Sequence, residues 1–552
     1  MPQWNRRDFL AAVSVLSSSA LLPHTAWSGE AGSWSAGELN HLIPTANHQR
    51  FAIKCSFKQA QQSDPALRVG EHSVTGKAAD AERRFFSFDI DNLKPDTEYT
   101  LQLVGASNKP LCDAWPLRTF PAPDQNPEQV RVLIYTCAGG HPIMQSRNGG
   151  SVFLPIATRQ RLLNRALSFQ PQALIANGDH IYWDQRSWME SKNEALRKLS
   201  TAMYQRIGML DRNLPAYGTS NEISLKAAAN PQISDLYGVS LRSTPSYFIN
   251  DDHDYFENDE AEDNFVTLPP YQYQLEFSRF VRNMYFPEFL PDANRPVAMS
   301  GSSAGDREPG ISESFGTFRY GKLAEALLYD CGRYLSLKGE SAGLIAPEAE
   351  KWLLDRTRDE TVQQLFHVPS HPFGWSAGKW REWYPDVADS GSENRKVVAK
   401  MHTGELFKLT KEQRKFMWQD GWWSQHQRLL EALNAQKKRA GIILSGDLHA
   451  IGHGKLEQSG NLDLRNNPVH TVLTGPLGTG TAWPSASRGT PPMTAIDIGM
   501  DPLTPAQEKN GFTILDIMPQ GVRMRLFAWR NNEPEDVIDT LEPYHEVTIG
   551  RS

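Results

Sequence analysis

The sequence predicts an α/β protein preceded by a separate β-rich unit. Two observations carry this. From Val130 onward, apolar strand-like runs alternate with amphipathic helical segments, and polar residues collect where the runs end; that pattern belongs to a sheet with its site at the carboxyl edge. Before residue 122, period-two alternation recurs without helices between the runs. With 552 residues the chain exceeds one compact domain. Hydrophobic residues make up 39% and charged residues 22%, a soluble globular balance rather than a disordered one. The net charge of -7 gives no electrostatic reason for a nucleic-acid partner.

The first 28 residues read as an address. "NRRDFL" (5–10) pairs two arginines with Phe9 and Leu10, and "LAAVSVLSSSALL" (10–22) follows. That run is too short and serine-rich to span a bilayer, which needs about 20 apolar residues. Ala26 and Ser28 occupy the small-residue positions of a cleavage site. The segment resembles a twin-arginine export signal, so the Tat translocase is the expected partner and the periplasm or medium the expected destination. An ordinary Sec signal and a chance arginine pair are the plainer alternatives. No other long apolar segment occurs, so the mature chain is expected to lack a membrane span and to be a monomer.

Residues 35–122 are expected to form a β-sandwich. Phe51, Ile53, Cys55 and Phe57 alternate on one face; Phe86, Phe88 and Ile90 repeat the pattern. The chain turns at Pro95-Asp96 and re-enters a strand with Tyr99, Leu101 and Leu103 inward. Leu93, Pro95, Thr97 and Tyr99 resemble the L-x-P-x-T-x-Y corner of a fibronectin type III sandwich. "FPAPDQNPEQ" (120–129), with three prolines, reads as a linker. Four cysteines do not make a disulfide scaffold. Cys55 and Cys112 could pair within the sandwich, and Cys331 reads as a core thiol.

The catalytic region is expected over 130–540. "ATRQRLLNRALSF" (157–169) and "WWSQHQRLLEALNAQKKR" (422–439) each carry an apolar stripe and precede an apolar strand. The Gly/Pro-rich segment 474–492 reads as a long loop. A phosphate cradle is the sharper alternative, but no helix follows it. The aromatic segment 373–384 reads equally as a cleft cover or a packed loop.

Polar residues follow five apolar runs. Cys137 closes "VLIYTC"; Asp179 and Tyr182 close "LIANGDHIY"; Asp251, Asp252 and His253 close "SYFINDDH"; His371 ends "LFHVPSH"; Asp447 and His449 close "IILSGDLH". Any one of these reads as a buried structural residue. Five together point to metal ligands gathered on one sheet edge.

The order "GDHIY", "DDHDYFEND", "SGDLH" resembles the dinuclear calcineurin-like metallophosphatase superfamily. With "TC" in place of the usual first Asp-x-His, it resembles the alkaline phosphatase D (PhoD)-like type. The resemblance implies a four-layer α-β-β-α metallophosphatase domain behind a fibronectin III-like sandwich. Two adjacent cations would neutralise a phosphate ester and turn water into an attacking hydroxide. Asp179 is the expected bridge. Cys137, Tyr182 and His449 complete a first site, where a thiolate and a phenolate favour Fe(III), as the family does. The plain alternatives are a core aromatic for Tyr182 and a small buried hydrophobe for Cys137. Asp179, Asp252 and Asp447 are expected at a second site suited to Ca, Mg or Mn. His371 would shift that site towards Zn or Mn; His367 competes for the role.

His253 is expected outside the metals as proton donor to the leaving group. The acids after it, Asp254, Glu257, Asp259, Glu260, Glu262 and Asp263, read as a solvated face. Asn258 is expected to reach substrate. Arg333, Lys379 and Arg381 are candidate partners for phosphate oxygens, and Asp330 with Arg333 echoes a family strand end. The expected activity is hydrolysis of phosphate diesters, monoesters or both. The rivals are a catalytically inactive cell-envelope phosphate-binding protein and an oxidase built on an iron–thiolate centre.

Overall fold

Eight short strands form the N-terminal unit of the structure, a computed structural model that describes residues 34–144, 151–183, 194–255, 272–290, 314–334, 343–376, 420–480, 492–494, 497–530 and 532–550. The strands are β1 (Leu39–Ala46), β2 (Phe51–Phe57), β3 (Ala66–Val69), β4 (His72–Thr75), β5 (Lys77–Ala78), β6 (Phe85–Ile90), β7 (Glu98–Val104) and β8 (Trp115–Arg118). They make two antiparallel four-stranded sheets, ordered β1-β2-β6-β5 and β4-β3-β7-β8. Phe51, Ile53, Cys55, Phe86 and Phe88 of one sheet share a core with Leu67, Leu101, Leu103 and Trp115 of the other. Tyr99 is half-buried, and its hydroxyl accepts from the Lys94 N–H at 2.8 Å, which fixes the turn before β7. Cys55, Cys112, Cys137 and Cys331 are all buried free thiols, so the Cys55–Cys112 pairing is not made.

The alternation expected over 51–57 is only half of what β2 does: all seven residues are buried. The second face is covered by a helix more than 200 residues away in sequence. There Lys54 is buried and pairs with Glu288 at 3.1 Å.

After Val130 the elements run β9 (Val130–Tyr135), α1 (Ile156–Leu167), β10 (Ala173–Asn177), α2 (Glu194–Ile207), α3 (Ser220–Ala229), α4 (Ser234–Tyr237), β11 (Ser246–Ile249), α5 (Gln272–Tyr285), β12 (Phe315–Tyr320), β13 (Ala324–Tyr329), α6 (Pro347–Arg358), β14 (Gln364–Pro369), β15 (Trp375–Ser376), α7 (Asp420–Asn434), β16 (Gly441–Ser445), β17 (Ile451–Ser459), β18 (Leu462–Asp463), β19 (Val469–Thr474), β20 (Met493–Thr494), β21 (Ile498–Gln507), β22 (Asn510–Met518), β23 (Gly521–Trp529) and β24 (His545–Ile549). One sheet has the order β11-β10-β9-β22-β23-β24, the other β12-β13-β14-β16-β19-β17-β18 with β21 beside β17. β9, β10 and β11 are mutually parallel, as are β13, β14, β16 and β19.

Strands buried on both faces read as unbroken apolar runs. Leu133, Leu174 and Phe248 pack with α1, α4 and α5, whereas Val132, Ile175 and Ile249 pack against Ala326, Phe366 and Ile442 of the second sheet. Leu327, Leu365 and Ile443 pack under α6 and α7 with Trp352, Trp422 and Leu429. The carboxyl ends of the two sheets are stitched directly. Buried Asn177 donates from Nδ2 to the Pro369 carbonyl at 2.8 Å, and within the first sheet the Thr136 hydroxyl holds the Asn177 carbonyl at 2.6 Å. Gly446 passes so close to Thr136 that a Cβ there would lie 2.3 Å from its hydroxyl oxygen.

No helix among the described residues is long and apolar enough to cross a membrane. Residues 1–28, Asn258, Lys379, Arg381 and the acids from Glu257 to Asp263 lie outside the described residues, as do 377–384 and 481–491.

Two polar devices fasten remote segments. Lys226 of α3 is buried with Asp80 of the N-terminal unit and Glu222, each carboxylate 2.6 Å from its ammonium. Removing the cation strands two buried carboxylates, so Lys226→Met should cost about 3–5 kcal/mol in urea unfolding. At the opposite edge, β24 is tied to the second sheet by three imidazoles: His545 Nε2 lies 3.1 Å from His453 Nδ1, and His453 Nε2 lies 2.9 Å from His470 Nδ1. Burial pulls His453 down to about 2 and His470 to about 4. Both values lie below the unfolded 6.5, so the folded state binds fewer protons. Stability is therefore complete above pH 6.5 and falls as pH drops through about 4. Melting temperature against pH should show that acid loss, and His453→Gln should make it shallower.

Candidate metal centre

Six parallel-running segments end at one place because the two sheets share a carboxyl edge. β9 delivers Cys137, β10 delivers Asp179 and Tyr182, β11 delivers Asp251 to Asp254, β14 delivers Ser370 and His371, and β16 delivers Asp447 and His449. β13 ends beside them at Asp330 and Arg333.

Cys137, Asp179 and His449 form one group whose donor atoms lie within 4.8 Å of one another. The Cys137 thiol reaches Asp179 Oδ2 at 3.3 Å. The Tyr182 hydroxyl donates to the same oxygen at 3.1 Å and lies 3.2 Å from His449 Nε2. The four residues expected at the first site are therefore brought together, and all are buried. Asp179 Oδ1 accepts no hydrogen bond among the described residues. The carboxylate thus has one oxygen on the Cys–Tyr side and one left over.

On the other side the grouping differs from expectation. Asp252 joins Asp179 and His253 in one cluster, and joins Asp251 and Asp447 in another, again within 4.8 Å. The expected trio of Asp179, Asp252 and Asp447 is not itself one of these groups: Asp252 and Asp447 gather with Asp251, and Asp179 meets Asp252 in the group with His253. His253 Nε2 stands 3.8 Å from Asp252 Oδ2, and its ring packs on Tyr182 at 4.4 Å. His371 belongs to neither cluster directly. Its Nδ1 is 3.0 Å from Asp251 Oδ1. His367 is eliminated as its competitor: both ring nitrogens are engaged, by Tyr329 at 3.2 Å and Thr357 at 2.7 Å.

The donor set fits a pair of cations. Asp179 Oδ1, Asp251 Oδ2 and both oxygens of Asp252 are buried without a hydrogen bond among the described residues. An unpaired buried carboxylate is costly unless neutralised. Burial pushes the Asp179 carboxyl well above its ordinary range, and the neighbouring aspartates add to the shift against His253. Burial does the same to the Cys137 thiol, with Asp179 next. A bound cation would reverse both effects and would deprotonate a coordinating thiol.

Four of these residues have left-handed backbone: Cys137 (φ 48°), Asp179 (φ 58°), Asp447 (φ 69°) and His449 (φ 50°). Such conformations cost about 1–2 kcal/mol for a residue with a Cβ. Remote side chains hold the loops there. Gln232 Oε1 accepts from the N–H groups of Gly140 and Tyr182 at 2.6 and 3.0 Å. Arg159 is buried and donates to the carbonyls of Leu154, Ala138, Gly139 and Gly140; burial pulls it down to about 9. The described start of the Gly/Pro-rich loop is a buried buttress. The N–H groups of Leu477, Gly478 and Gly480 donate to the carbonyls of Thr136, Cys137 and Val152, which leaves none of the three for a phosphate.

Asp254 corrects the expectation of a solvated acidic face. It is buried in a 3-10 turn, Asp252–Tyr255, and accepts from four backbone N–H groups: Asp179 at 3.0 Å, His180 and Ile181 at 2.9 Å, and Asp251 at 3.0 Å. Burial pushes its carboxyl up to about 7, while those donors pull against the shift. Gln232, Arg159 and Asp254 share one trait that hid them: each acts on backbone outside its own element. Arg333 is also buried. It donates to Ser314 and lies over the Tyr334 ring at 5.3 Å, and its backbone N–H donates to Asp330, which also accepts from Tyr255. These contacts do not place its guanidinium in a donor cluster.

Replacing Asp254 by Asn turns two of its four acceptor sites into donors facing donors. Asp254→Asn should lose about 3 kcal/mol or more of stability and lower the metal content of the purified protein, read by urea unfolding and elemental analysis.

No family model matches the chain, and no curated protein matches it. Solved structures do. The structure described as "Structure of PhoD" aligns at 12% identity with a TM-score of 0.52, covering 94% of this chain and 90% of that one. Purple acid phosphatase PPD1 from yellow lupin (Lupinus luteus) seeds aligns at 13% identity and a TM-score of 0.47, covering 92% and 73%. The chain thus shares the overall fold of the PhoD structure, a likeness of architecture that agrees with the resemblance read from its strand-end motifs.

Proposed function

We propose that this chain is an exported, dinuclear-metal phosphoesterase of the PhoD-like kind, acting on phosphate diesters, monoesters or both. The observation that carries this reading is the convergence of Cys137, Tyr182 and His449 on Asp179, next to a second cluster built of carboxylates. A thiol, a phenol and an imidazole around one carboxylate suit Fe(III); the carboxylate cluster suits Ca, Mn, Mg or Zn. In this reading the N-terminal unit is a fibronectin III-like sandwich and the remainder a four-layer α-β-β-α domain. The Arg6-Arg7 segment supports export through the Tat translocase.

Two bound cations would neutralise the ester and make water nucleophilic near neutral pH. The residues themselves supply the rest. Asp179, with Oδ2 on the Cys–Tyr side and Oδ1 without a hydrogen bond among the described residues, would help to hold a cation on either side. His253, its ring tilted against Tyr182 and its Nε2 beside Asp252, would supply a proton to the leaving oxygen. Tyr182 and Cys137 are held by the loop contacts of Gln232 and Arg159, so little reorganisation is needed when substrate arrives. Asn258 is the proposed substrate contact; Arg333, buried and donating to Ser314, would have to leave that partner to serve as a second.

Elemental analysis and a visible spectrum test this. Iron with a second cation and a phenolate or thiolate charge-transfer band are expected, and Tyr182→Phe or Cys137→Ala should abolish or shift the band. Hydrolysis of a chromogenic phosphate diester should fall by about 100-fold or more in His253→Ala with metal content kept. Zinc alone with no such band would remove the Cys–Tyr ligand assignment.

A further inference from the structure

α7 faces the β17–β18 hairpin and the start of β21 across a groove of about 1030 Å3 that the proposed function does not use. β17 begins at Ile451, two residues beyond His449, and reaches the groove at Ser459. At about 3.3 Å per residue the groove lies roughly 25 Å from the candidate metal centre. Its walls are fastened to each other. The Gln427 side-chain amide donates to the Ser459 hydroxyl at 2.6 Å, and the Gly460 N–H donates to the Asp497 carbonyl at 2.7 Å.

Trp423 sets one wall. It is half-buried, and its ring stacks on buried His426 (5.6 Å, 21°), which stacks in turn on buried Phe373 (4.9 Å, 28°). The indole is the outermost of three rings and is fixed before any ligand arrives. The hairpin turn meets it only at the rim: a Cβ on Gly460 would lie 3.1 Å from Trp423 Cζ2 and 3.9 Å from Cε2, with no third ring atom within 4 Å. An approach over the ring face would bring the neighbouring ring atoms nearly as close, so Gly460 leaves the face turned from His426 clear. Glu431 lies on the same stripe of α7, two helical turns beyond Trp423. Glu431, Asn461 and Asp497 are exposed in the groove, and none of these side chains has a partner among the described residues. Arg428, the cation among the lining residues, is already paired with Glu350.

We propose that this groove binds a neutral oligosaccharide: Trp423 takes the C–H face of a sugar ring, and Glu431, Asn461 and Asp497 take its hydroxyls. A sugar ring has an apolar face that packs on an aromatic ring and a rim of hydroxyls that each donate and accept. The groove offers a partner for each. The two carboxylates accept, and the Asn461 amide both accepts and donates. The unpaired charges here are negative, so the groove repels a phosphate ester and is not a second copy of the proposed active site. It is separate from the proposed function and stands without it.

Calorimetric titration of the full chain with maltohexaose, cellohexaose and chitohexaose tests this. At least one of the three should bind with a millimolar or lower Kd. Trp423→Ala should weaken that binding by about tenfold. Glu431→Ala combined with Asn461→Ala, which alters only exposed side chains, should weaken it by about tenfold as well and leave the melting temperature unchanged. If Trp423→Ala does not fold, this surface pair carries the comparison alone. Binding of none of the three sugars would overturn the proposal. So would an affinity that the variants retain, or capture of a hexalysine peptide in place of the sugars, which would mark the groove as a site for cationic peptides.

Discussion

Five aspartates, Asp179, Asp251, Asp252, Asp254 and Asp447, are buried where the two sheets meet, and the surrounding structure is organised around their charge. Each uncompensated carboxylate in such a place costs several kcal/mol. The chain offers three answers. Asp254 is satisfied by four backbone N–H groups. Asp251 is half satisfied, through Ser370 and His371. Asp252 has neither oxygen hydrogen-bonded among the described residues. The graded series separates roles within one cluster. The satisfied carboxylate is architecture, and the unsatisfied ones are the oxygens that bound cations would neutralise.

The same pressure explains the strained backbone. Cys137, Asp179, Asp447 and His449 accept left-handed dihedrals because only sharp turns immediately after the strands keep their side chains over the sheet edge. The turns support one another. The Cys137 N–H donates to the Gly178 carbonyl at 3.1 Å, the Gly139 N–H to the Asp179 carbonyl at 2.9 Å, and the Gly478 N–H to the Cys137 carbonyl at 2.8 Å. Strain at a site persists only where its surroundings over-determine it. Here the β9, β10 and β19 loops do so mutually, with Arg159 and Gln232 as side-chain pins.

How far this was legible in the sequence follows from the range of each interaction. An apolar run ending in a ligand-type residue is a local signal, so Cys137, Asp179, Tyr182, Asp252, Asp447 and His449 could be read directly. Asp254 could not. It opens an acidic run, and composition alone makes such a run look solvated; nothing local shows that one helical turn swings its carboxylate inward under β10. Asp251 stood in plain view beside Asp252, but the partner that holds its Oδ1, His371, lies 120 residues further on. The two-sided burial of β2 was hidden for the same reason, because α5 and Glu288 supply the covering face. His367 and His371 look alike in "FHVPSH". Only the sheet shows that the first lies inside β14, bonded to Tyr329 and Thr357, and the second beyond its end.

That last contrast bears on how the site is held in register. β10, β14 and β16 are buried on both faces, and a uniformly apolar run does not by itself specify how far a strand slides along its neighbours. In a half-exposed strand, alternation would penalise a slip. Here the penalty comes from the ends. Moving β10 one residue inward would carry Gly178-Asp179 into the apolar core, and moving it outward would bring Ala176 to the edge and break the Asn177 bond to Pro369. Sliding β16 would drive Asp447 inward or bring Leu444 out, and would set a side chain against Thr136 where Gly446 now passes. The charged residues at the strand ends therefore act as stops as well as candidate ligands. The polarity that makes the cluster chemically useful also makes its position the only low-energy one, because no neighbouring register keeps both the core dry and the carboxylates together.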